Sequence, residues 1–120
     1  MKKRKLIIGV STLEESLKET LKACKEAEKG LPTGPVHRID FTDQAALFSA
    51  LSPKRMELLR FLRQNGPMSA RQLAKDLGRD YKNIQGDIKM LSQLEIVVTD
   101  DSGRYLVPWD DIIIELALAA

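Results

Sequence analysis

The stretch "SARQLAKDLGRDYKNIQGDIKMLSQLEIV", residues 69–97, decides the fold that the sequence predicts. It holds two helical patterns that are separated only by the tripeptide "GRD". Ser69 and Gln72 have the spacing of a capping box, which marks the start of the first helix. Gly78 suits the turn that ends this helix, and Asp80 suits the N-cap of the next one. Because the turn is so short, the second helix must cross the first steeply.

The second helical pattern of this stretch has one apolar face. At about 100° per residue, Ile88 and Leu91 lie within about 40° of Ile84, and Leu94 extends the same core pattern. The preceding helix presents its own apolar residues at helical spacing. We therefore predict that two helices pack through these side chains: Leu73, Ala74, Leu77, Ile84, Ile88, Leu91 and Leu94.

Another helix precedes this pair, and a hairpin follows it. "SPKRMELLRFLRQNG", residues 52–66, has Ser52 as N-cap, Pro53 at the first helical position and Asn65-Gly66 as its stop, with Leu58, Leu59 and Leu62 facing inward. "IVV" and "RYLVP" are two short strands around "TDDSG", in which Gly103 takes the position that favours positive φ. Three helices and a β-hairpin wing, in this order, describe a winged helix-turn-helix over residues 52–107.

Two further segments flank the predicted domain. Residues 1–51 read as a strand-helix-strand extension: a strand at residues 5–10, a helix at residues 12–30, and a strand at residues 36–41 followed by a short helix that Thr42 caps. Residues 108–120 form a tail whose Ile run fits a strand and whose Leu/Ala end fits a helix. The fold class is therefore α+β, and we expect the extension to serve dimerisation or partner binding.

The outward face of the third helix carries long polar side chains and no apolar residue. Lys82, Lys89 and Gln93 lie about 140–180° from Ile84, and Tyr81 and Gln85 flank them. Such a face suits the DNA major groove, where Lys contacts phosphate or guanine and Gln contacts adenine. The alternative is an ordinary solvated face, or a helix-turn-helix that binds protein. We predict DNA contacts from Lys54, Arg55, Arg71, Tyr81, Lys82, Gln85, Gly86, Lys89, Gln93 and Arg104.

Gly86 stands in the middle of this face, where a glycine costs about 1 kcal/mol of stability relative to alanine. Core packing does not explain it, because it lies about 200° from Ile84. We predict that it lets the backbone approach DNA closely or clears room for Gln85 and Lys89. The charge pattern agrees with a basic binding face: residues 52–91 carry a net charge of +5, and residues 92–120 carry −5. Asp100 and Asp101 at the hairpin tip should repel phosphates.

Other kinds of function find little support in the composition. One Cys and one His cannot make a zinc site, and no glycine-rich phosphate loop occurs. Cys24 lies on an apolar stripe and reads as a packed thiol, while Trp109 reads as a core or interface anchor. No apolar run approaches the roughly 20 residues that span a bilayer. We expect a cytoplasmic protein with no cofactor, no metal, no membrane contact and no enzymatic activity.

Residues 52–114 resemble a family of small bacterial and archaeal transcriptional regulators that is distantly like the MarR winged-helix repressors. The matching pieces are "LSPKRMELLRFLR", the stretch from residue 69 to residue 97, and "PWDDIIIEL". The combination of "GRD-x-KN-I" with a Pro-aromatic-Asp ending carries most of the likeness. The extension at residues 1–51 fits the same layout.

The resemblance implies a DNA-binding regulator, which we expect to be a homodimeric repressor that reads double-stranded DNA with residues 80–94. Some relatives look like antitoxins that bind a protein toxin and repress their own operon, and this is the alternative function. The motif positions carried over are Arg79, Asp80, Lys82, Asn83, Asp87 and Lys89. Of these, Arg79, Lys82 and Lys89 should face solvent and contact DNA, whereas Asn83 and Asp87 could pair or contact a neighbouring helix. Gly86 departs from many relatives.

Overall fold

The computed structural model describes residues 4–11 and 37–116, which form an α+β arrangement of five strands and four helices. These elements belong to two units. Among the described residues, the sheet unit holds residues 4–11, 37–47 and 109–116, and the helical unit holds residues 48–108. The elements are β1 (Lys5–Val10), β2 (His37–Phe41), α1 (Gln44–Ala50), α2 (Pro53–Asn65), α3 (Ala70–Leu77), α4 (Tyr81–Gln93), β3 (Val98–Thr99), β4 (Tyr105–Leu106) and β5 (Asp111–Glu115).

The sheet unit is built on three parallel strands in the order β2-β1-β5. Ile8 of the central strand lies opposite Ile39 of β2 and Ile114 of β5. Leu6 and Ile8 are almost fully buried, as expected for a strand with a neighbour on both sides. The strand predicted at residues 5–10 is confirmed, and so is the described part of the strand predicted at residues 36–41.

The C-terminal tail contributes β5, so its Ile run forms a strand. The start of this strand is held by the residues around Trp109. The backbone amide of Arg4 donates to Asp110 Oδ2 at 2.7 Å, and the Arg4 guanidinium lies 5.0 Å from the centre of the Trp109 ring. The His37 ring lies 4.9 Å from the same ring. Trp109 is therefore a buried anchor of the sheet unit, as predicted.

Some expectations concern residues outside the described ranges. These are the helix at residues 12–30 with Cys24 in its apolar stripe, and the Leu/Ala end of the tail at residues 117–120. The helix predicted before residue 51 is present as α1, but its N-cap is not Thr42. Asp43 takes that place, because its Oδ1 accepts from the amide of Ala46 at 2.7 Å. Both residue types cap helices well, and the sequence alone does not choose between neighbours.

The three helices of the helical unit begin at the predicted caps. The side chains of Ser52, Ser69 and Asp80 each accept a hydrogen bond from a backbone amide, in the first turn of α2, α3 and α4 respectively. The capping box at α3 is only half formed, since the Gln72 side chain donates to Asp76 Oδ1 at 2.7 Å instead of turning back. Gly78 ends α3 in the left-handed conformation at φ 63°. These local signals fix where each helix starts and where α3 stops.

The core of the helical unit joins all three helices to the segment that precedes the hairpin. The predicted core residues of α2, α3 and α4 are buried, except that Leu77 and Leu94 are partly exposed. Ile96 and Val97 are buried as well, and their amides donate to the carbonyl of Leu91 at the end of α4. In the hairpin, Thr99 lies opposite Tyr105. Tyr105 also exchanges two backbone hydrogen bonds with Met68, which places the hairpin beside the start of α3.

Candidate nucleic-acid interface

A groove of about 900 Å³ opens on the outer side of α4. Three elements of the helical unit line it: the start of α3, the outer face of α4 and the hairpin. The short turn between α3 and α4 and the pairing of Tyr105 with Met68 bring these elements together. The lining residues are Ser69, Ala70, Arg71, Tyr81, Gln85, Gly86, Ile88, Lys89, Ser92, Gln93, Thr99, Gly103 and Tyr105.

The groove gathers most of the residues that the sequence predicts to contact DNA. Arg71, Tyr81, Gln85, Gly86, Lys89 and Gln93 all line it. Lys82 is exposed on the same helix but does not line the groove, and Lys54 is exposed in the first turn of α2. In the described part of the chain, neither Lys82 nor Lys89 forms an ion pair with a carboxylate. Their ammonium groups are therefore available to a negatively charged ligand.

Three side chains that line the groove are connected to one another. The guanidinium carbon of Arg71 lies 4.8 Å from the centre of the Tyr81 ring, a cation–π contact. Gln85 Nε2 donates to the Tyr81 hydroxyl at 2.9 Å. Tyr81 and Gln85 stand four residues apart on one helical face, so this contact follows from the geometry of α4. Arg71 comes from α3, and only the packing of the two helices brings it to the ring.

Gly86 lines the groove and has open space around it. A Cβ atom built on Gly86 would meet no heavy atom within 4 Å outside its own helix turn. Its backbone is helical, so no positive φ requires glycine there. The glycine is therefore unnecessary for folding, and its absent side chain leaves the backbone of α4 open to the groove.

We expect Gly86→Ala to raise the free energy of unfolding by up to about 1 kcal/mol, because it lowers the entropy of the unfolded chain and adds helix propensity. Urea unfolding followed by circular dichroism measures this change. Gly66→Ala is the matched control and should destabilise, because Gly66 has φ 82°. A loss of stability in Gly86→Ala would contradict the structure, because it would mean that the added methyl group clashes with a neighbouring group. The same variant should bind DNA more weakly if the backbone approaches a duplex.

Arg55 and Arg79, both predicted to contact DNA, instead bind the carboxylate of Asp87. The carboxylate accepts from Arg55 Nε at 2.9 Å and from Arg79 Nη2 at 2.7 Å. The Arg79 side chain is only 17% exposed, so the prediction that it faces solvent is wrong. Arg55 also donates to the carbonyls of Ser49 and Ala50 at the end of α1. Arg55 thus ties α2 to α4 and to the end of α1, and Arg79 ties the turn before α4 to that helix.

The predicted contact of Asp87 with a neighbouring helix is confirmed, because its carboxylate accepts a hydrogen bond from Arg55 of α2. The sequence contained no signal for the arginine partners, since Arg55 is 32 residues away and Arg79 lies in a turn whose direction depends on packing. Among described residues, Arg79 Nη1 and Ser92 Oγ are buried without a hydrogen-bond partner. Ser92 lines the groove but was not predicted, although its angle of about 80° from Ile84 placed it beside Gln85.

The hairpin tip differs from the repulsive acidic patch that the sequence predicts. Asp100 Oδ1 accepts from the amides of Ser102 and Arg104 at 2.9 Å each, and Asp100 Oδ2 accepts from Arg104 Nε at 3.2 Å. The amide of Arg104 is the main reason that the pKa of Asp100 lies below its usual range. Asp100 therefore builds the turn and partly neutralises Arg104, whose side chain is still 54% exposed. Asp101 remains an exposed acid at the tip.

Two further properties of the described residues bear on the kind of site this is. No helix formed by residues 37–116 has both the length and the apolar character needed to cross a bilayer. Residues 4–11 and 37–116 bring no three His, Cys, Asp or Glu side chains together in a group that could hold a metal ion. The chemistry available in the groove is that of ammonium, guanidinium, amide and hydroxyl groups.

Comparison with known proteins adds a family. Neither the curated proteins nor the solved structures provide a significant match to the chain. A family model, HVO_A0114, matches residues 50–114, which is more than half of the 120 residues. The match starts at the end of α1, covers the helices and hairpin that line the groove, and runs into β5. The chain therefore belongs to the HVO_A0114 family.

Proposed function

We propose that the protein is a sequence-specific DNA-binding transcriptional regulator, a dimeric repressor whose residues 52–107 form a winged helix-turn-helix. Residues 80–94, which contain α4, would be the recognition helix. The observation that carries the proposal is the groove on the outer face of α4, which collects unpaired cations and amides on a surface free of large exposed apolar side chains. Its walls are the start of α3 and the hairpin, the elements that flank a recognition helix in this fold.

The dimensions and chemistry of α4 suit a major groove. An α-helix fits the groove of B-DNA, which is about 12 Å wide. Lys82 and Lys89 would contact phosphates or guanine, and Gln85 and Gln93 would contact adenine. Gly86 would allow the helix backbone to come close to the duplex. Lys54 and Arg104 would add phosphate contacts at the edges, whereas Arg55 and Arg79 would act indirectly by holding α4 in place.

The dimer is proposed because one such domain reads only half a site, and symmetric pairing of two domains improves both affinity and specificity. The sheet unit is the proposed contact between protomers. Among the described residues, its strand β5 pairs with β1 along one edge and with no strand along the other. Ile113 and Ile114 of this strand are 43% and 38% exposed. Analytical ultracentrifugation would test this part separately from DNA binding.

Footprinting of the purified protein on the DNA upstream of its own gene tests the function. We expect a protected site with two related halves, and an affinity that falls steeply as salt rises. Equal and weak binding to every duplex would contradict the proposal and favour a module that binds protein. Antitoxin activity stays a prediction, and a small toxic neighbouring gene whose product binds this protein would support it.

A further inference from the structure

We propose that Tyr81 positions two DNA contacts at once and thereby links affinity to sequence preference. Its ring would hold the Arg71 guanidinium for a backbone phosphate, and its hydroxyl would hold the Gln85 amide for an adenine. This inference rests on the proposed function, because it assigns roles within the same groove. Arg71, Tyr81 and Gln85 all line that groove.

The contact between Arg71 and the Tyr81 ring prepares the guanidinium for a phosphate. The guanidinium carbon lies over the ring, 4.8 Å from its centre, and within the described residues the side-chain N–H groups of Arg71 form no hydrogen bond. In the described residues no carboxylate pairs with Arg71, unlike Arg55 and Arg79. A guanidinium held in one place loses less conformational entropy when it binds, and its paired N–H groups match two phosphate oxygens.

The hydrogen bond between Gln85 and the Tyr81 hydroxyl holds the amide with Nε2 toward the hydroxyl. One Nε2 hydrogen is used by the hydroxyl at 2.9 Å, so the other Nε2 hydrogen and Oε1 remain for a ligand. Adenine presents an acceptor, N7, next to a donor, the N6 amino group, in the major groove. These two groups complement the free hydrogen and oxygen of Gln85.

Guanine would be rejected by the same arrangement. Its major-groove edge presents two acceptors, N7 and O6, so Oε1 of Gln85 would face another oxygen. Without the hydroxyl, the amide of Gln85 could rotate and offer its amino group to guanine instead. The Tyr81 hydroxyl is therefore the group that should favour adenine at one position of the operator, although it need not touch the base.

Tyr81→Phe separates the two roles, because it removes the hydroxyl and keeps the ring. On a set of operator duplexes in which every base pair is replaced in turn, we expect this variant to lose an adenine preference on the order of tenfold at one position. The slope of affinity against salt should stay that of wild type, because Arg71 remains stacked. Gln85→Ala should lose the preference at the same position, and the double variant should lose no more than either single one.

Tyr81→Ala should also lower affinity for all duplexes and reduce the salt slope by about one, as Arg71→Ala does. Gln93→Ala is the matched control, because Gln93 lines the groove and forms no hydrogen bond with a tyrosine in the described part of the chain, so its effect should add to that of Tyr81→Phe. If Gln85→Ala loses the preference and Tyr81→Phe keeps it, this inference is overturned and the proposed function stands. A wild-type protein without any sequence preference would overturn the proposed function itself.

Discussion

Asp87→Ala should lower the free energy of unfolding by about 2–3 kcal/mol, since it leaves two guanidinium groups without their shared carboxylate. The three side chains are mostly buried, with exposed fractions of 22% for Arg55, 14% for Asp87 and 17% for Arg79. Arg79 Nη1 already lacks a partner, so the cluster has no spare acceptor with which to compensate. The residual exposure to solvent keeps the expected loss below that of a fully buried pair.

Chemical denaturation of Asp87→Ala and wild type measures this loss. Asp76→Ala is the matched control: Asp76 accepts a hydrogen bond from Gln72, but it is exposed, and its removal should change stability by no more than about 0.5 kcal/mol. Asp87→Asn should fall between the two, because its amide oxygen serves one guanidinium while its amino group faces the other. If Asp87→Ala were as stable as the control, the cluster would not hold α4 in place.

Reversing the charge of Lys82 and Lys89 together should reduce operator affinity by about 100-fold at moderate salt, because two attractive contacts with phosphate become repulsive. Both side chains are exposed, so the variant should fold normally. Fluorescence anisotropy with a labelled operator duplex measures the affinity. The single changes Lys82→Ala and Lys89→Ala should each flatten the dependence on salt by about one.

Arg60→Glu combined with Lys75→Glu is the control for net charge. Each replacement of Lys or Arg by Glu lowers the net charge by two. Both double variants therefore change the formal net charge of the chain from +2 to −2. Arg60 and Lys75 are exposed and do not line the groove. An equal loss of affinity in the control would mean that overall charge, and not the face of α4, attracts DNA. If neither double variant lost affinity, α4 would not be the DNA-binding face.

Local signals explain most of what could be predicted. Ser52, Ser69 and Asp80 start their helices because a side-chain oxygen within the first turn satisfies an otherwise unpaired amide. The positive φ at Gly78 and Gly103 follows equally from residue type and position. The angular pattern of α4 separated its buried face from its groove face, because a regular helix carries sequence order directly into space.

Contacts between distant residues account for most of what the sequence did not show. The order β2-β1-β5 depends on pairing between β1 and β5, which lie about 100 residues apart in the sequence. A run of Ile residues predicts a strand but does not indicate which strand it pairs with. The direction of the Arg79 side chain depends on its ion pair with Asp87, eight residues away, so the prediction that Arg79 faces solvent was wrong. The Arg71 stack on Tyr81 likewise needs the α3–α4 crossing, which the short turn implied only in outline.

The chain order of the sheet has a practical consequence for dissecting the protein. The helical unit lies in sequence between β2 and β5, so it is an insertion in the sheet unit. The chain passes from the sheet unit to the helical unit at residues 47 and 48, and returns at residues 108 and 109. Truncation before residue 51 would strip β5 of its partner β1, whereas excision of residues 48–108 keeps all three strands of the sheet and interrupts only α1. A single break of the chain between α1 and α2, at residues 51 and 52, would yield two bands on a denaturing gel. On a native gel the two pieces should still migrate together, because β1 of one piece pairs with β5 of the other.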